Sequence, residues 1–145
     1  MSDDAKIYEL YVENAAKQEP TMTLTPGGNK LWYLHGKLHR EDGPAVEWVN
    51  GDKEWWLHGK RPRENAPAVE YANGTKTWYL HGELHREDGP AIEYANGDKN
   101  WFLHNAYYAN VADWAKALFK MRNEPHDDAA VQKYIRHILM KDDLI

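Results

Sequence analysis

Two pairs of histidines have a spacing that could hold a metal. His35 and His39, and again His81 and His85, read H-x-x-x-H. On a helix this spacing offers two imidazoles to one ion. Here Gly36 and Gly82 interrupt it and place it in a turn, and the intervening copy has Pro62 instead of the second histidine. Equivalent histidines one unit apart would sit two strands away, about 9–10 Å. That is too far to share a metal through bonds of about 2 Å. The expectation is a loop hydrogen bond and no metal, with pH sensing left open because imidazole titrates at about pH 6.5.

Paired carboxylates are the second candidate chemistry. Glu47 and Glu54 face one another in the register expected below, as an acid and base of glycoside hydrolysis would. In the next units the position of Glu54 is taken by Thr77 and Asn100, and a flat sheet offers no cleft. The chain has no cysteine, and Ser2 is its only serine. Disulfides, thiolate zinc sites and cysteine or serine nucleophiles are thereby excluded or disfavoured. No phosphate-cradling glycine motif is present. Arg40, Arg63 and Arg86 recur beside Glu41, Glu64 and Glu87, as local ion pairs or turn contacts. The net charge of -5 opposes nucleic acid and anionic membranes as partners. No catalytic residue and no cofactor is expected.

The elements that must position these groups form a repeat. Trp32, Trp55, Trp78 and Trp101 recur every 23 residues, as do His35, His58, His81 and His104. Pro44, Pro67 and Pro90 keep the step, and so do the pairs Asn50-Gly51, Asn73-Gly74 and Asn96-Gly97. Asn-Gly between alternating apolar residues signals a hairpin with a type I′ turn. Four hairpins, the first from about Thr21 to His35, give an antiparallel meander of roughly eight strands over residues 21–109. A two-residue loop at Asn50-Gly51 pairs Glu47 with Glu54 and Val46 with Trp55.

Strand parity then sorts two faces. One carries Val46, Trp48, Trp55 and Leu57, with Tyr71 and Tyr94 among their equivalents. It needs a cover. The other carries Tyr33, Glu47, Trp56, His58, Glu70, Tyr79, His81, Glu93, Phe102 and His104. Those ten residues are either a solvated sheet face or a partner-binding surface, since rigid aromatics anchor interfaces. Residues 110–145 read as a two-helix segment packed on the sheet. Asn110 and Asp127 are its caps, and its apolar stripes are Val111, Trp114, Ala115, Leu118 and Phe119, then Val131, Tyr134, Ile135, Ile138 and Leu139. Residues 1–20 read as a helix or capping segment, with 3–18 favoured as helix over strand. The fold class is α+β.

The unit Trp-aromatic-Leu-His-Gly, the loop Arg-Glu and the strand ending Asn-Gly-x-Lys resemble the MORN repeat. The nearest likeness is to MORN-variant repeats of bacterial YwqK-type antitoxin-like proteins and small phage proteins. The resemblance covers about residues 21–105 and implies protein–protein interaction without catalysis, sometimes with lipid association. Lipid binding does not fit this chain, which lacks the basic surplus. The expectation is a cytoplasmic accessory protein of a bacterium or phage-infected host that binds and inhibits or neutralises another protein. The alternative is a carbohydrate- or small-ligand-binding protein using the aromatic column. Edge strands leave a homodimer open.

Overall fold

Each Asn-Gly pair does close a hairpin, but through three loop residues rather than two. A computed structural model describes residues 18–61, 66–124 and 127–143. The helix expected over 3–18 lies outside them, as do Pro62, Arg63 and Glu64. The Trp48 N–H donates to the Asp52 carbonyl at 2.9 Å, and the Gly51 N–H to the Trp48 carbonyl at 2.9 Å. Gly51 has φ +98, whereas Asn50 stays out of the left-handed region. This is a three-residue loop closed by a glycine bulge. The Asn50 side chain sets it by accepting from the Asp52 N–H at 2.9 Å.

The extra loop residue shifts the register by one. Val46 pairs with Glu54 and Glu47 with Lys53, not Glu47 with Glu54. Because strand side chains alternate, a slip of one moves every partner to the opposite face. The expected acidic column is therefore an alternating ladder. Lys30, Glu47, Lys53, Glu70, Lys76, Glu93 and Lys99 follow one another across adjacent strands. Opposite charges facing across strands stabilise by about 0.2–1 kcal/mol each.

Type I′ turns occur instead at the histidines. His35, His58 and His81 have φ of 52, 50 and 50, each followed by a glycine at 74, 76 and 80. His104 and Asn105 repeat the pattern at 47 and 66. Both central residues are left-handed, as this turn requires. Each unit thus holds a second, smaller hairpin at the corner of the sheet.

The strands are β1 (Thr21–Leu24), β2 (Lys30–Leu34), β3 (Lys37–Leu38), β4 (Val46–Glu47), β5 (Lys53–Glu54) and β6 (Val69–Glu70). They continue as β7 (Lys76–Thr77), β8 (Tyr79–Leu80), β9 (Glu83–Leu84), β10 (Ile92–Glu93), β11 (Lys99–Leu103) and β12 (Ala106–Tyr108). The main sheet is antiparallel in the order β1-β2-β4-β5-β6-β7-β10-β11-β12, with β3 on β2 and β8–β9 as a separate pair. Helices α1 (Val111–Met121) and α2 (Asp128–Asp143) follow. The fold is mixed, with a large antiparallel sheet and two helices. Among the described residues no helix is long and apolar enough to cross a membrane.

The helix caps are as expected. Asn110 Oδ1 accepts from the Asp113 N–H at 2.8 Å, and Asp127 Oδ1 from the Ala130 N–H at 2.8 Å. Trp114, Ala115, Leu118, Val131, Ile135 and Ile138 are buried in one cluster, but Leu139 is left 39% exposed. The helices do not spread over a whole sheet face. They pack at the end of the array, where Trp101 and Leu103 of β11 enter their core.

Candidate binding face

The register decides which aromatic side chains are closed in. The Trp32, Trp55 and Trp78 N–H groups donate to the carbonyls of Ala45, Ala68 and Ala91, each at 2.8 Å. These tryptophans share a face with the charge ladder, and the three alanines between them are fully buried. Loops fold over this column. The Arg40 guanidinium lies 3.9 Å above the Trp32 ring, and Arg86 lies 3.9 Å above Trp78. Arg86 is held by Asp88 at 2.7 Å, by the Pro90 carbonyl at 3.1 Å and by Glu93 at 3.0 Å. Arg40 makes the same set with Asp42, the Pro44 carbonyl and Glu47. Arg40 and Arg86 do pair locally, though with Asp42 and Asp88 rather than Glu41 and Glu87, and Arg63 lies outside the described residues. At the last unit Trp114 of α1 takes the covering place, its ring 4.8 Å from that of Trp101.

The opposite face stays open. Tyr33, Trp48, Tyr71 and Tyr94 are 38%, 39%, 40% and 40% exposed. Trp56, Tyr79 and Phe102 lie half-buried beside them. At its centre Glu54 accepts from two indoles, Trp48 Nε1 at 3.1 Å and Trp56 Nε1 at 2.9 Å. Arg61 reaches the same carboxylate at 3.6 Å and lies over both Trp56 and Tyr79. Burial, then Tyr79, pushes the Tyr71 hydroxyl above its ordinary range, while Arg61 pulls it back.

The ten residues expected to share one surface are therefore divided. Tyr33, Trp56, Tyr79 and Phe102 remain on the open face. Glu47, Glu70 and Glu93 join the opposite ladder, and Glu47 and Glu93 reach the covering arginines. His58, His81 and His104 stand in the corner turns. Trp48, Tyr71 and Tyr94, expected under a cover, are exposed beside Tyr33. Arg61 was legible in one respect, because it stands where the sister units have Leu38 and Leu84.

Histidines staple neighbouring units. His39 Nδ1 accepts from the His58 N–H at 3.0 Å, and His85 Nδ1 from the His104 N–H at 3.0 Å. The ring proton then belongs on Nε2, where His85 meets Glu87 at 2.8 Å. Glu87 also receives Arg122, the C-cap of α1, at 2.8 Å, and its carbonyl accepts from Tyr134 of α2. Burial alone would raise Glu87, but the bonds from His85 and Arg122 hold it below the usual carboxylate range. Among the described residues no group of three or more metal-ligating side chains is assembled. No family model matches the chain, and no curated protein matches it.

Proposed function

We propose that this chain is a non-catalytic, repeat-built binding module that docks another protein on its open aromatic face. The arrangement is MORN-like, four hairpin units stepped by 23 residues. The observation that carries the reading is the row Tyr33, Trp48, Tyr71 and Tyr94, each about two-fifths exposed along one face. Aromatic side chains lose few rotamers on binding and bury much area, so they make strong anchors. A finer version is an inhibitor or neutraliser of its partner, in a bacterium or phage-infected host.

The test is capture from the native host followed by mass spectrometry. The wild type is compared with the triple variant Trp48→Ala, Tyr71→Ala, Tyr94→Ala, whose fold is checked by circular dichroism. Equal capture by a folded triple variant sinks the reading. Quenching of tryptophan fluorescence by members of a glycan panel, with no protein captured, would favour a carbohydrate ligand instead.

A further inference from the structure

Charge is distributed unevenly over the cavities of this acidic chain. Three of the described cavities have carboxylates in their walls: Glu87 and Asp88 in one, Glu41 and Asp42 in the second, and Glu19, Glu41 and Asp42 in the third. Two adjoining cavities at the corner of the second and third units have none among the described residues. The first encloses about 480 Å³ and is lined by Lys37, His58, Lys60, Arg61 and His81 with two leucines. The second, about 510 Å³, shares Lys60, Arg61 and His81 and runs to the Trp56 and Tyr79 rings of the open face. Glu54, at 3.6 Å, compensates Arg61 alone. Lys37 and Lys60 also line the groove, and among the described residues no ion pair to either is seen.

The fold does not require these cations. Sister units place Leu38 and Leu84 where Arg61 stands, and Lys37 and Glu83 where Lys60 stands. With leucine the corner hairpin forms two paired residues on each arm, as in β2–β3 and β8–β9. In the second unit it shrinks to the single bridge Leu57–Lys60. Arg61 therefore gives up local pairing and gains contacts to two rings and a groove. A cationic groove opening beside exposed aromatics fits a ligand with carboxylates next to apolar groups.

We propose that this groove receives an acidic segment, rich in Asp or Glu, of the partner protein. That the segment belongs to a protein rests on the function proposed above. The groove itself is tested separately, by fluorescence anisotropy of fluorescein-labelled octaglutamate at low salt, with octalysine as the opposite-charge probe. The wild type should bind octaglutamate and not octalysine. The double variant Lys60→Glu, Arg61→Leu carries residues that the third unit already uses, so it should fold. It should bind octaglutamate at least about tenfold more weakly. The control Lys116→Glu, Lys120→Leu on α1 changes the charge by the same three units elsewhere and should leave binding within about twofold.

No octaglutamate binding by the wild type would overturn the proposal, as would equal binding by a folded double variant. Displacement by inorganic phosphate at the same concentration would assign the groove to phosphate and overturn the acidic-segment reading. The aromatic triple variant should still bind octaglutamate, because none of its three residues lines the groove. Its loss of partner capture alone would therefore bear on the open face and not on the groove.

Discussion

The two faces of the sheet are made from the same kinds of residue, yet Trp78 and Trp101 end buried on one while Trp48 ends exposed on the other. One carries Trp32, Trp55, Trp78 and Trp101, and the other carries Tyr33, Trp48, Tyr71, Tyr94 and Trp56. Trp78 and Trp101 are 5% and 6% exposed, while Trp48 is 39% exposed. Hydrophobicity does not separate them. What separates them is whether the chain returns over the ring. The Arg40 and Arg86 loops return over the tryptophan column, and α1 returns over its last member. On the open strip Arg61 lies over Trp56 and Tyr79, while Tyr33, Trp48, Tyr71 and Tyr94 stay about two-fifths exposed. Covered aromatics hold the array together, and uncovered ones remain at the surface.

The largest break in this comparison should come from the helical cover. Trp114 is fully buried against Trp101 and Tyr134, and Trp114→Ala leaves a large cavity. A loss of about 3–5 kcal/mol is expected in urea unfolding. A loss under 1 kcal/mol would mean that the helices are not an integral cap.

Arg86→Ala should cost less, about 1–3 kcal/mol. It removes a stacked cation and charge-assisted bonds while leaving Trp78 in place. Near-zero change in the unfolding midpoint would show that the loop covers the column without the guanidinium.

Acid should loosen the junction between loop and helices. The folded Glu87 carboxyl lies below its ordinary range, so the protonated form is disfavoured in the native state. Its contribution is present above the usual carboxylate range and is lost as pH falls through the folded value. Glu87→Gln should flatten that part of the stability–pH curve. The effect should stay below about 1 kcal/mol, because the group is partly solvated. A steeper acid slope in the variant would reverse this sign.

The smallest stability effect should come from the open strip. Tyr94→Ala is expected to cost about 0.2–1 kcal/mol, the range of a cross-strand pair. A loss comparable to Trp114→Ala would mean that the strip is structural, and the contrast between the faces would collapse.

Much of this molecule is written at the level of the repeat. The 23-residue step, the existence of four hairpins and the caps Asn110 and Asp127 follow from turn chemistry and periodicity, which are local. The histidines were legible as loop hydrogen-bonders, though not as the left-handed residues of the type I′ turns. Asn-Gly and His-Gly are both turn-competent, and only the geometry of the flanking strands chooses the loop length of each. That choice moved the register by one and redistributed Glu47, Glu54, Trp48 and Trp55 between the faces.

By itself, then, the sequence determined the unit, its turn residues and the antiparallel pairing. Each depends on residues within about one turn or one strand of each other. The tertiary structure alone decided which aromatic column is covered, where the helices sit and how Arg61 meets Glu54, Trp56 and Tyr79. Those outcomes depend on a one-residue register and on loops folding back across neighbouring units. A period-2 pattern is consistent with either register, so only the assembled packing distinguishes them.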